Sequence, residues 1–374
     1  MLFGFHSFLN MQKSFPFSVR LAGWLLSGVI IVYILYVLRE TLVPLTFSVL
    51  FAVLLYPICA LLERWRIPRI AAISVSLILF FAVLVGLIYV ASVQIISFGE
   101  ELPRLEKKAN FWIDQGQDFL SDNFGMSRRK QLTEGRKYLT EALKNSASIL
   151  TGAVATTTGT LASAALVPLF VFFFLLYRDF FRRFFYKAFN GRHKRRVDQA
   201  IRRIYEVVQG YLVGLVSVIL IVGVMNSAGL LLLGVPHAIF FGFFASCLLL
   251  IPYIGLMIGS LLPALMALVA LDSPMYALGV LGVFGVIQIL EGNFITPYIV
   301  GSKVSVNPLA AMIVLILGGQ LWGVSGLILA LPMTAILKVI FDSVDALKPF
   351  GYLLGEAEEG KPLKLPIPPS MLEE

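Results

Sequence analysis

The sequence predicts an all-α polytopic membrane protein, and two observations carry this prediction: the composition and the length of the apolar runs. Hydrophobic residues make up 58% of the 374 residues, charged residues make up 14%, and the mean hydropathy is +0.87. Soluble domains carry roughly 25% charged residues. Several runs reach the roughly 20 apolar residues that a helix needs to cross the hydrocarbon core. Soluble classes are therefore excluded.

The N-terminal part of the chain, residues 1–96, contains three expected spans. They are about Leu21–Leu38, Leu42–Leu62 and Ile70–Ile95. No small-residue cleavage site follows the first apolar run, so we interpret it as a retained span and not as a removed signal peptide. Residues 97–150 then turn polar, and their apolar residues recur at helical spacing. This pattern predicts a small extracytoplasmic domain of amphipathic helices.

A fourth span, at about Ala155–Tyr177 within residues 151–177, precedes a strongly basic segment, residues 178–210. From Arg178 to Glu206 there are ten Lys or Arg residues and three Asp or Glu residues. Directly after a membrane helix, such a cluster is typical of a cytoplasmic loop that faces anionic lipid headgroups, and we favour this partner over nucleic acid. Recurring phenylalanines predict helices that lie in the membrane interface, with one face formed by Phe181, Phe184, Phe185 and Phe189.

The positive-inside rule predicts the orientation of the chain. With the basic segment in the cytoplasm, the link that contains Arg64, Arg66 and Arg69 also lies inside, and residues 97–150 lie outside. We therefore expect a multi-pass membrane protein with its N-terminus inside, and a flexible tail over residues 346–374.

Residues 211–345 form the predicted C-terminal membrane core, which begins with a fifth span at Tyr211–Leu233. Two long apolar runs follow, Ala238–Leu271 and Leu309–Phe341, and glycine or proline interrupts both. Each is compatible with one tilted helix or with a hairpin that enters and leaves by the same face. In secondary transporters, broken helices at membrane depth form the substrate site. The breaks that we expect near a pathway are Pro252, Gly255, Pro263, Gly301, Pro308, Gly319 and Gly323.

A polar, proline-broken segment lies between these two runs. Between Val207 and Leu337 the chain has only three formal charges, and two of them, Glu291 and Lys303, belong to this segment. A carboxylate among apolar spans is costly unless it is paired, hydrated or protonated, so it indicates a functional site. We expect Glu291 to exchange a proton or a cation in a substrate or ion pathway. Its expected neighbours in that pathway are Gln288, Asn293, Thr296 and Pro297.

A second interpretation makes the same segment a loop at the membrane surface. In that case Glu291 would cap a helix and Lys303 would reach lipid headgroups. Composition favours neither interpretation.

Motifs for catalysis or cofactor binding are absent from the sequence. It has no Walker A pattern, no His-Glu-x-x-His and no Gly-x-Ser-x-Gly. The two cysteines, Cys59 and Cys247, lie in separate apolar runs without metal-ligand spacing. We therefore expect no enzyme activity, no cofactor and no metal site.

Several motifs in the chain can be compared with known families. Glu291-x-Asn293-x-x-x-Pro297-x-Ile299-x-Gly301 is followed by Asn307-Pro308-Leu309, Gly318-Gly319, Gly323-Val-x-Gly326 and Ala330-Leu331-Pro332. Upstream are Pro252-Tyr253-Ile254-Gly255 with Pro263, and an aromatic run that ends at Arg178-Asp179. These motifs resemble those of the AI-2E family of permeases. The resemblance implies about eight transmembrane helices, both termini in the cytoplasm, a domain after the third span and a homo-oligomer, expected to be a pentamer.

Members of that family are associated with export of the signalling furanone autoinducer-2, and others with sodium–proton antiport. We therefore predict a secondary transporter that exports a small polar molecule such as autoinducer-2. One alternative is a Na⁺(Li⁺)/H⁺ antiporter in which Glu291 alternates between a proton and a cation. A hypothesis of another class is a non-transporting membrane scaffold or channel component.

Overall fold

The computed structural model describes residues 16–124, 165–188, 194–251, 254–271, 273–301 and 305–356. Within these ranges every regular element is a helix and there is no strand, so the predicted all-α membrane fold is confirmed. Some of the predictions lie outside the described residues: Phe189, Pro252, Lys303, the second half of the 97–150 domain, the first part of the fourth span and most of the C-terminal tail.

The helices are numbered here in chain order. They are α1 (Phe17–Val37), α2 (Arg39–Arg64), α3 (Arg69–Phe124), α4 (Ala165–Leu176), α5 (Arg178–Ala188), α6 (Lys194–Leu232), α7 (Ala238–Leu248), α8 (Ile254–Ala270), α9 (Pro274–Leu290), α10 (Pro308–Ser343) and α11 (Lys348–Leu354). Two π-helical segments, Glu291–Ile295 and Pro297–Gly301, continue α9, and a 3₁₀ turn at Asp345–Leu347 precedes α11.

Six of the helices in the described part of the chain are long and apolar enough to cross a membrane. They are α1, α2, the first part of α3, α6, α9 with its π-helical continuation, and α10. The predicted first, second, third and fifth spans fall on α1, α2, α3 and α6. Three shorter apolar helices, α4, α7 and α8, complete the membrane region. The count of eight crossings stays a prediction.

Helix α3 is longer than the membrane is thick. Its 56 residues run from Arg69 to Phe124 without a break, and at 1.5 Å per residue they span about 84 Å. The hydrocarbon core is only about 30 Å thick, so the polar second half of α3 must project beyond it. The predicted domain boundary between residues 96 and 97 therefore falls inside one helix, and the division into domains stays a prediction.

One end of the helix bundle collects basic residues and is called the basic face. Arg178 pairs with Glu63 at 2.5 Å, and Arg69 pairs with Asp179 at 2.7 Å. The hydrogen bond from Arg69 holds the pKa of Asp179 below its usual range. These pairs join the link between α2 and α3 to the start of α5. The two basic segments that the positive-inside rule placed together thus lie on the same face.

The first long apolar run folds as a hairpin, not as one tilted helix. Helix α6 leads away from the basic face, and α7 turns back from its end for 11 residues, which is about 16 Å or half of the hydrocarbon core. Helix α8 then returns beside α7, because a methyl group added at Gly259 would lie 2.8 Å from the Cβ of Ala245. The end of α7, residues 249–251, and the start of α8 therefore lie together at mid-depth as the tip of this hairpin, and we call α7–α8 the re-entrant hairpin.

The second long apolar run, α10, is also a hairpin. Trp322 and Gly323 leave helical geometry, and Gly323 has a φ of +62° that only glycine adopts without strain. A methyl group on Gly326 would overlap the carbonyl oxygen of Gly318, although eight residues of continuous helix would separate them by about 12 Å. Residues 308–321 and 324–343 therefore lie against each other, with the apex bonded to α1 through Trp322 Nε1 and the Leu35 carbonyl at 3.0 Å.

Asn307 closes this second hairpin at the basic face. Its Oδ1 accepts from the backbone N–H of Ala310 at 2.8 Å, which caps α10. Its Nδ2 donates to the carbonyls of Leu353 and Gly355 at 2.8 and 2.9 Å, at the end of α11. One side chain therefore joins the start of α10 to the helix that follows its end.

Replacing Asn307 with Ala should loosen α11. We expect chymotrypsin cleavage after the exposed Tyr352 to become about tenfold faster, which corresponds to about 1.4 kcal/mol of lost local stability. Ser273→Ala is the matched control, because Ser273 caps α9 with one bond to the Met275 N–H and makes no contact with α11. Equal cleavage rates in the two variants would show that Asn307 acts only as a helix cap.

Candidate functional site

The candidate site lies where α9 changes into the π-helical segment. Ser273 and Pro274 start α9, and Val280, Phe284 and Ile287 are buried at helical spacing along it. This stripe packs against α6: a methyl group on Gly279 would lie 3.3 Å from Leu233, just after the end of α6, and one on Gly229, earlier in α6, would overlap Val283, later in α9. Helix α9 therefore runs antiparallel to α6.

The π-helical turn has a local cause in the sequence. Pro297 lacks an N–H, and its ring crowds the carbonyl four residues earlier, which disfavours an ordinary α-helical turn at this point. The chain widens instead, and the backbone N–H of Thr296 bonds to the Glu291 carbonyl five residues back. Such π-helical turns occur frequently at functional sites. Residues 291–301 are helical, so the loop interpretation is wrong for this stretch.

The Glu291 carboxylate is held by neutral donors from its own helix. Gln288 Nε2 donates to Glu291 Oε2 at 2.7 Å, and the Thr296 hydroxyl donates to Oε1. Gln288 and Thr296 are half-buried. The widened turn allows Thr296, five residues later, to reach back to the carboxylate. The structure thus brings together three of the five predicted pathway residues.

Asn293 and Pro297 are placed differently. Asn293 Nδ2 donates to the Ile289 carbonyl at 2.9 Å, and its side chain is exposed on the outside of the helix. Its neighbours Phe294 and Tyr298 are 66% and 86% exposed. Pro297 shapes the backbone and is also exposed. Neither residue lines the cavity described next.

A small cavity lies beside Glu291, at the tip of the re-entrant hairpin. Its volume is about 10 Å³, close to the minimum that one water molecule requires. Three walls meet there: α6, the tip of the re-entrant hairpin, and α9 with its π-helical turn. The lining residues are Val222, Asn226, Ala245, Leu249, Gly255, Phe284, Ile287, Gln288 and Glu291.

Asn226 is the polar residue of this cavity that the sequence did not reveal. It is 3% exposed, and its Oδ1 has no hydrogen-bond partner within the described part of the chain. It is also the only amide side chain between residues 211 and 232. That isolation was the available signal, but a neutral polar residue in a span is a weaker indication than a carboxylate.

The predicted helix breaks serve two different hairpins. Gly255 forms the tip of the re-entrant hairpin, where a methyl group would overlap the carbonyl of Leu248, and Pro263 is fully buried within α8. Gly301 ends the second π-helical segment. Three further breaks belong to the α10 hairpin: Pro308 at its first turn, Gly319, where an added methyl group would lie 3.1 Å from Leu327, and Gly323 at its apex. Of the predicted breaks that the structure describes, only Gly255 lines the cavity.

No group of three or more His, Cys, Asp or Glu side chains that could hold a metal ion is found among the residues that the structure describes. The chemistry of the site therefore rests on one carboxylate, two amides and a hydroxyl.

Comparison with known proteins gives a consistent picture. The sequence model of the AI-2E family transporters matches residues 25–346. YrrI of Bacillus subtilis, named for a proposed transport role, is 27% identical over 309 residues, which cover 81% of this chain and 86% of YrrI. MT0215 of Mycobacterium tuberculosis, named in the same way, is 30% identical over 87% of this chain and 89% of its own length. TqsA of Escherichia coli, named an AI-2 transport protein, is 25% identical over 85% of this chain and 90% of its own length.

Proposed function

Because this chain belongs to the AI-2E family of transporters, we propose that it is a secondary transporter that exports a small polar molecule along a pathway past Glu291. Its place as a transport protein of the membrane follows from the family and from the apolar helices. The observation that carries the proposed pathway is the position of the Glu291 carboxylate, half-buried beside a cavity at the tip of a re-entrant hairpin.

The construction of the site supports transport. Helix ends at mid-membrane depth require cover from protein or from a wet cavity, and secondary transporters use such ends to form their substrate sites. Here the tip of the re-entrant hairpin and the π-helical turn at Glu291 meet at one cavity. Two irregular elements and one intramembrane carboxylate in the same place support a pathway better than a packing role.

The size of the cavity supports a conformational step in transport. About 10 Å³ holds no molecule larger than water. A small organic cargo therefore requires the hairpin tip to move away from Glu291, as lids and gates do in other cycles. Autoinducer-2 is the cargo that we propose, because TqsA carries it in its name and a small polar molecule suits a site made of oxygen and amide groups.

Retention of labelled autoinducer-2 tests the cargo in cells. We expect a strain that lacks the protein to retain more label than its parent, and expression of the wild-type chain to reverse the effect. Unchanged retention in the deletion strain would exclude autoinducer-2 as the cargo.

Cation–proton antiport is the second candidate, and the water-sized cavity beside a carboxylate favours it. Glu291 would exchange a proton for Na⁺ or Li⁺. In everted vesicles, antiport predicts that adding either cation collapses a preformed pH gradient. No response at any pH would exclude it.

The surroundings that we propose follow from the distribution of charge. The basic face suits the cytoplasmic side of the bacterial inner membrane, with both termini inside and anionic headgroups near residues 178–206. Helix α1 has no buried residue among those whose burial is described, which leaves its apolar surface for lipid or for another copy in the expected homo-oligomer. A non-transporting scaffold is the remaining alternative. It is excluded if the flux measurements show transport of autoinducer-2 or exchange of a cation for protons.

A further inference from the structure

Asn226 differs from the other polar side chains buried around it. Ser227 donates its hydroxyl to the Ile239 carbonyl at 3.3 Å, and Ser246 donates to the Phe243 carbonyl at 2.8 Å. The hydroxyl groups of both serines are therefore hydrogen-bonded to backbone carbonyls of α7. The Asn226 Oδ1 is equally buried but has no partner in the described ranges. A buried carbonyl oxygen without a donor is unfavourable, so packing alone does not explain this residue.

Asn226 and Glu291 line the same cavity from different helices. Asn226 belongs to α6, and Glu291 belongs to the π-helical turn after α9. The Nε2 group of Gln288 donates a hydrogen bond to the Glu291 carboxylate. The remaining wall residues are apolar or glycine, and none of the lining residues carries a positive charge. The cavity is therefore lined by an amide whose oxygen has no partner in the described ranges and by a carboxylate, which only accepts hydrogen bonds.

We propose that Asn226 is a binding residue of the pathway, and that with Glu291 it recognises ligands that present hydrogen-bond donors. The carboxylate accepts a donor of the ligand, such as a hydroxyl, and the Asn226 amide hydrogen-bonds to a neighbouring polar group of the ligand. Anions are rejected, because they would meet the negative charge of Glu291. This inference rests on the proposed pathway past Glu291 and adds a second helix and a class of ligand to it.

Charge-selective labelling of Asn226→Cys tests the inference without any cargo. The two native cysteines, Cys59 and Cys247, are first replaced with Ala in the full chain. The purified protein is reconstituted and treated with a cationic or an anionic methanethiosulfonate. The rate at which each reagent labels the protein is divided by the rate at which the same reagent reacts with a small free thiol. We expect the cationic reagent to react about tenfold faster, and Glu291→Gln to bring the two normalised rates together.

Ser227→Cys is the matched control for labelling. It lies one residue further along α6 and is equally buried, but it does not line the cavity. We expect it to react about tenfold more slowly than Asn226→Cys. The inference is overturned if Asn226→Cys is not labelled, if its rates show no preference for the cationic reagent, or if Ser227→Cys reacts equally fast.

Asn226→Val supplies a measurement that a structural role would move in the opposite direction. Valine is only slightly larger than asparagine and removes the unpaired oxygen, so the melting temperature should be at least that of the wild type. A clearly lower melting temperature would show that Asn226 stabilises the fold through its amide, which overturns the inference. Neither measurement uses autoinducer-2. The proposed role of Asn226 can therefore be contradicted while autoinducer-2 remains the proposed cargo, and the reverse is also possible.

Discussion

Glu291→Gln should reduce export to the rate of protein-free membranes, a loss of at least about 100-fold, or about 2.7 kcal/mol in the barrier. The amide has nearly the same shape, the Thr296 hydroxyl can still donate to its oxygen, and Gln288 can rotate its own amide to accept from the new N–H. The substitution therefore removes the negative charge and little else. Because the charge is the feature that makes this site unusual among apolar spans, its loss should affect transport far more than stability. The initial rate of labelled autoinducer-2 efflux from proteoliposomes measures the effect.

Asn293→Leu is the matched control for this substitution. Asn293 lies two residues from Glu291 in the same π-helical segment, but its side chain is exposed and bonds to its own helix. We expect its rate to stay within about twofold of the wild type. If Asn293→Leu abolished transport and Glu291→Gln did not, the pathway would lie on the other side of the helix.

Gly326→Ala should prevent the α10 hairpin from closing. The added methyl group would overlap the carbonyl of Gly318, which is backbone and cannot rotate away. Overpacking a side-chain core costs about 1–3 kcal/mol, and a clash with backbone should reach or exceed the upper end. We expect a melting temperature in detergent at least about 5 °C below that of the wild type, or no monodisperse protein.

Gly282→Ala provides the comparison. Gly282 lies within α9, and a methyl group there would meet no atom within 4 Å. Because alanine favours a helix over glycine by up to about 1 kcal/mol, this variant should be as stable as the wild type or more stable. If the Gly326→Ala protein had the same melting temperature as the Gly282→Ala protein, the close approach of the two halves of α10 would be contradicted.

Much of the membrane fold could be predicted from the sequence, because hydrophobic length is a local property. The spans on α1, α2 and α6 were found from apolar runs alone, and the charge pattern placed the Arg64–Arg69 link beside residues 178–206. The two hairpins could not be decided in this way. A long apolar run has the same composition whether it forms a hairpin or one tilted helix. Which of the two forms depends on contacts between distant residues, such as Gly318 with Gly326.

The candidate site was predictable only in part, for a similar reason. The carboxylate of Glu291 was conspicuous because a charge is rare in an apolar span, and Gln288 followed from helical spacing. Asn293 and Thr296 appeared equivalent in the sequence. The extra residue of the π-helical turn lets Thr296 reach the Glu291 carboxylate, whereas Asn293 bonds to its own backbone. Asn226 is separated from Glu291 by 65 positions in sequence and meets it only through the packing of α6 against α9.

Counterflow in proteoliposomes tests most directly whether the chain is a secondary transporter that works through Glu291. Vesicles that contain the purified protein are loaded with unlabelled autoinducer-2 and diluted into a trace of labelled compound. We predict a transient accumulation of label inside, which protein-free vesicles lack and which Glu291→Gln abolishes. A channel would only equilibrate the label and a scaffold would move none. Either of those results, or full counterflow by Glu291→Gln, would contradict the proposed pathway.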